Sequence, residues 1–118
     1  MRPRTRLLDP LLAALMLIAG VLAPVAAHAE TWRLVNEPGF GNPENASALA
    51  MAVFDGHLYV VTRNLSGSEI WKSRLGSEHW RDVTPPWSPG TTRAQAITVF
   101  EGRLYVGTDR GEVWRTAG

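Results

Sequence analysis

Cysteine is absent from the chain, and histidine appears only three times. Without thiols there is no disulfide framework, no cysteine-ligated zinc and no thiol nucleophile. No two histidines have metal-ligand spacing, which argues against a zinc site. There is no Gly-x-Ser-x-Gly elbow. The carboxylates do not cluster in a way that glycoside chemistry requires, and Asp109-Arg110-Gly111-Glu112 offers too few ligands for a calcium loop. The reading is therefore of a chain with no metal, no cofactor and no catalytic residue. From Glu30 onward the sequence also lacks helical periodicity with caps.

An excess of one charge is missing as well. The formal net charge is +1, but Arg2, Arg4 and Arg6 carry that excess. From Glu30 onward nine basic residues face ten acidic ones. That leaves no basic footprint for nucleic acid.

Only one long apolar run is present, Leu11–Ala27, and it follows the three arginines. Ala27-His28-Ala29 comes next, with small residues two apart. A basic start, an apolar stretch and an Ala-x-Ala site form a secretory signal peptide. Residues 1–29 are expected to direct export to the periplasm or the exterior, with cleavage after Ala29. The membrane is involved only through this segment before cleavage. The mature chain is then 30–118.

Within the mature chain the sequence repeats. Shifted by 46 positions, nine of the fifteen residues from Ala48 to Thr62 are identical, where ordinary composition gives about one match. Among them are Phe54/Phe100, Gly56/Gly102 and Tyr59/Tyr105. At offset 43 the match resumes with Glu69/Glu112 and Trp71/Trp114. At offset 48 Trp32, Arg33, Val35 and Pro38 match Trp80, Arg81, Val83 and Pro86.

Each unit reads as short strands. Ala48–Phe54 is small and apolar. Asp55-Gly56 and Glu101-Gly102 follow the two apolar runs, as in tight hairpins whose turn residues need positive φ. His57–Thr62 and Arg103–Thr108 are rich in β-branched and aromatic residues. Leu58 and Val60 face one way, Tyr59 and Val61 the other. A third strand over Ser68–Lys72 and Glu112–Arg115 carries the repeated Trp, and a fourth spans Trp80–Val83. The fold class is all-β, antiparallel, with four short strands in 40–50 residues, the period of a β-propeller blade. Lettering the strands a to d from the centre outward, the order is d-abcd-abc. Repeats occupy about 48–93 and 94–118, the second completed by an outer strand at 31–35.

Val53-Phe54-Asp55-Gly56-His57-Leu58-Tyr59-Val60 followed by Glu69-Ile70-Trp71-Lys72 resembles secreted propeller repeats of the kelch-like and sialidase-like group. Trp80-Arg81-x-Val83 with Pro86 and Arg93 is similar to kelch spacing between an outer strand and the next blade. Where kelch blades carry Gly-Gly, this chain has Val61-Thr62 and Gly107-Thr108. Ser73–Trp80 lacks the aspartate of the sialidase Asp box. The resemblance implies an architecture and no particular activity.

Two blades do not close a ring, and unpaired strand edges invite another chain. Three outcomes follow. The chain forms a homo-oligomer by strand exchange, a trimer in preference to a dimer, with Thr31–Val35 of one copy beside Glu112–Arg115 of the next. It is the front of a longer exported propeller enzyme or adhesin. Or it is a two-blade monomer.

Strand alternation gathers the d–a loops (Asn36–Ser47, Thr84–Arg93) and the b–c loops (Arg63–Ser68, Asp109–Gly111) at one end. They carry Phe40, Asn42, Asn45, Arg63, Asn64, Trp87, Arg93, Asp109 and Arg110. Loops on a rigid scaffold concentrate binding residues. Trp87, set among Pro and Gly, reads either as a surface indole for a glycan or an extracellular protein or as a packing residue. Trp71, Trp114, Trp32, Trp80 and the repeated Phe and Tyr read as packing residues. Asn45-Ala46-Ser47 and Asn64-Leu65-Ser66 match the N-glycosylation triplet. The functional reading is an exported, non-enzymatic binding module, with an edge-strand interaction scaffold as the other possibility.

Overall fold

The computed structural model describes residues 29–87 and 92–117. Ala27 and most of the expected signal segment lie outside the described residues. Met1–Arg33 and Leu34–Gly118 are separate compact units, and the regular structure described below belongs to the second. Among the described residues no helix is long and apolar enough to cross a membrane.

The described residues are all-β apart from one 3₁₀ turn at Pro38–Gly41. Strands β1 (Ser47–Phe54), β2 (His57–Arg63), β3 (Ile70–Arg74) and β4 (Arg81–Asp82) form one antiparallel sheet in sequence order. Strands β5 (Ala94–Phe100), β6 (Arg103–Thr108) and β7 (Val113–Arg115) form a second. The two-residue hairpins form at the expected places. Asp55 and Gly56 have φ of 48° and 70°, and Glu101 and Gly102 have 47° and 73°. Both residues of such a turn must be left-handed to match the twist of the strands, which is why glycine holds the second position. Each sheet bulges at the same place, between Ala48 and Ala50 and between Ala94 and Ala96.

Register assigns every side chain to a face. In the first sheet Ala52, Phe54, Tyr59, Val61 and Ile70 share one face. In the second, Ala94, Ile97, Leu104, Val106 and Trp114 share the face with the opposite parity. These two faces pack on each other and, with Trp87 and Val83, make the core. Burying a side chain such as Val61 or Leu104 contributes about 1.5–3 kcal/mol. The Leu58/Val60 face of the first sheet therefore corresponds by sequence to the covered Leu104/Val106 face of the second. The sheets are stacked head to tail.

The outer strands are the least regular part of the fold. Thr31–Val35 forms no strand, and among the described residues β7 has no partner on its outer side. A strand without a ladder leaves its backbone groups to solvent, so it gains nothing by extending. Trp32 is accordingly 92% exposed within the single chain. Trp80, its repeat partner, is half-buried and donates its indole N–H to the Val35 carbonyl at 2.9 Å.

Candidate functional site

The loops before β1 and β5 meet the β2–β3 and β6–β7 loops at one end, as strand alternation requires. Ala46 N–H donates to the Arg63 carbonyl, Ser68 N–H to that of Thr92, and Asp109 N–H to that of Arg93, each at 2.8 Å.

Asn45 is the hub of this end. Its amide nitrogen donates to the Gly39 carbonyl at 2.9 Å and to Glu69 Oε1 at 2.8 Å. Its oxygen accepts from Thr62 Oγ1 at 2.8 Å and from Asn64 Nδ2 at 2.9 Å. Glu69 receives two further N–H groups, from Asn42 Nδ2 at 2.8 Å and from the Trp71 indole at 2.9 Å. Burial alone raises the pKa of the Glu69 carboxyl. The bonds from Asn45, Trp71 and Asn42 outweigh it and hold the pKa below the ordinary value. Repetition makes Glu69 and Glu112 visible in the sequence. The partner common to both copies is the Trp two residues on, Trp71 for Glu69 at 2.9 Å and Trp114 for Glu112 at 3.3 Å. Among the described residues the second copy shows no counterpart of the Asn45 hub, and Thr92 Oγ1 there is buried with no partner.

Aromatic residues of the two preceding loops do equivalent jobs. Phe40 stacks on Trp71 with centroids 5.0 Å apart and 7° between the planes. Trp87 meets Trp114 edge to face at 6.2 Å. Phe40 sits at φ 54° between Gly39 and Gly41, both also left-handed. That conformation costs a non-glycine residue about 1–2 kcal/mol, an amount the ring stacking and burial can offset.

The sequence-derived site residues therefore separate. Trp87 is 6% exposed and part of the core, so its ring is a packing element and not a surface platform. Phe40 is half-buried against Trp71. Asn64 is buried with its amide bonded to Asn45, and Asn45 is buried too, so neither glycosylation triplet presents a free asparagine. Asp109 pairs with Arg93 at 3.6 Å and accepts the Arg93 N–H at 2.9 Å. Arg110 lies exposed in the adjoining turn. Arg63, at the end of β2, is exposed and lines a basin of about 480 Å³ together with Glu44, Ser47, Asn64, Leu65 and Ser66. Arg93 Nη2 reaches the Leu65 carbonyl at 3.4 Å, which joins the Arg93–Asp109 pair to the basin's rim.

A second concavity, of about 380 Å³, opens between the sheets and is lined by Ile70, Val83, Pro86, Leu104, Trp114 and Thr116 among others. It adjoins β7, where the second sheet has three strands against four in the first. Among the described residues no group of three metal-ligating side chains comes together.

No family model matches the chain, and no curated protein or solved structure gives a significant match.

Proposed function

We propose that the chain is an exported, non-enzymatic binding module of the β-propeller type, two blades in extent, which engages an extracellular protein through the loop end. The observation that carries this reading is the Arg63 basin resting on the Asn45–Glu69 network. The network fixes the loops before β1 and β3 by hydrogen bonds with little side-chain freedom left, and a pre-organised surface loses less entropy on binding. The basin offers hydrogen-bonding groups from Ser47, Arg63 and Ser66 beside an exposed Leu65. None of its described lining residues is aromatic, and Trp87 is interior, so a peptide segment suits it better than a sugar ring needing a stacking platform. Export rests on the Arg2/Arg4/Arg6, Leu11–Ala27 and Ala27-x-Ala29 pattern. The repeated four-strand period supports the propeller type.

The test is selection from a random displayed-peptide pool on the purified protein, with a glycan array in parallel. Peptides that bind the parent and are lost on Ser47→Tyr, which fills the basin, are the expected result. A parent that enriches no peptide, or binding undiminished in a folded Ser47→Tyr variant, counts against the loop end. Binding confined to the glycan array points to a carbohydrate ligand instead.

A further inference from the structure

The packing of the two sheets uses one face of each. Of the equivalent faces, the second sheet's is open at Phe100, and the first sheet's is open at Met51 and Val53, while Phe40 covers Trp71 and Val60 is buried there. The covered face of the first sheet carries Phe54, Tyr59, Ile70 and Lys72. By repeat position the open face of the second sheet carries Phe100, Tyr105, Val113 and Arg115. The match extends to geometry. Phe54 and Tyr59 lie 6.1 Å apart at 52°, and Phe100 and Tyr105 lie 6.4 Å apart at 59°. In reverse, Ile97 and Val99 lie on the second sheet's face toward the first. Their equivalents Met51 and Val53 lie on the first sheet's outer face and are exposed. Phe100 is 61% and Val53 57% exposed, against 42% for Val99 at the rim of the packed face. Open apolar faces of this kind mark association surfaces.

We infer that a second copy of this chain docks head to tail, laying the Met51/Val53 face of its first sheet on the Phe100/Tyr105 face. The occupant is specified by the interface already present within the chain, because each open face is chemically the counterpart of a face that is covered there. Repeating that step also brings the second copy's residues 31–35 alongside β7. In the first sheet their repeat equivalents include Arg81 and Asp82 of β4, which pair with β3. The inference stands on the two sheets and not on the loop basin. A heterologous contact of this kind either closes a ring or extends without limit. Three copies give six sheets, within the range of closed radial sheet assemblies.

The experiment is light scattering on the protein purified from its full-length gene, with Val53→Glu and Phe100→Glu prepared separately and then mixed. Each variant keeps one docking face and loses the other. The parent is expected as a discrete oligomer, each variant as a monomer, and the mixture as a one-to-one dimer, because one variant's intact Phe100 face meets the other's intact Val53 face. A parent oligomer of two or four copies that passes the mixing test supports the same docking. A monomeric parent, variants that keep the parent's mass, or a mixture that stays monomeric overturns it. Circular dichroism checks the fold of both variants, and Met51→Lys with Val113→Lys replaces them if either is unfolded.

Discussion

Asn45 Nδ2 donates to Glu69 Oε1 at 2.8 Å, and this bond ties the loop before β1 to the residue that leads into β3. One of the partners ionises, so the tie is sensitive to pH.

The Glu69 carboxyl is held below its ordinary value of 4.5 in the folded chain. The folded state therefore binds this proton less readily than the unfolded chain. Stability from Glu69 is fully present above the ordinary value and is lost as pH falls through the lower, folded value. Glu69→Gln is expected to be less stable than the parent at about pH 6 and to approach it at about pH 3. Urea midpoints at the two pH values check this. A gap that stays constant between them would separate Glu69 from the acid transition.

Removing the other partner acts at every pH. Asn45→Ala leaves Thr62, Asn64, the Gly39 carbonyl and Glu69 each short of a bond. An unsatisfied buried group costs about 1–3 kcal/mol, so the loss expected here is about 3 kcal/mol. Asn42→Ala breaks a less buried bond and is expected to cost about 1 kcal/mol. Denaturant titration of the two variants gives the comparison, and equal losses would remove Asn45 from the centre of the network.

Two glycines are expected to respond to alanine with opposite signs. Gly56 has φ 70° in the β1–β2 turn, and alanine there costs about 1 kcal/mol. Gly107 lies within β6 with an ordinary φ, and a Cβ built on it meets nothing within 4 Å. Glycine inside a strand gives up about 0.5–1 kcal/mol to chain entropy, so Gly107→Ala is expected to raise the melting temperature. Thermal scans decide both, and a lower melting temperature for Gly107→Ala would contradict the open space seen there.

What was legible in the sequence was what is local or repeated. Asp55-Gly56 and Glu101-Gly102 between apolar runs announced two hairpins, and the offset of 46 gave both sheets the same internal register. Alternation at Leu58–Val61 placed each side chain on its face. The third strand begins two residues later than its sequence pattern indicates. Ser68 N–H bonds the Thr92 carbonyl, and Glu69 N–H bonds the Thr62 hydroxyl, so both donors leave the ladder. Trp87 was ambiguous because its Pro-Trp-Ser-Pro-Gly surroundings describe a turn, while its burial depends on Trp114, far along the chain. The Asn45 hub was least legible. Its partners span Gly39 to Glu69, Asn45 itself is not repeated in the second copy, and no spacing rule connects them.

The two aromatic staples differ in what they rest on. Phe40 reaches Trp71 from the side of the first sheet turned away from the second. Trp87 reaches Trp114 within the shared core. The first sheet's clasp thus uses residues 37–84 alone, whereas the second's lies in the core that both sheets build, so loosening the sheet-to-sheet contact would undo the Trp87 staple while leaving Phe40 on Trp71.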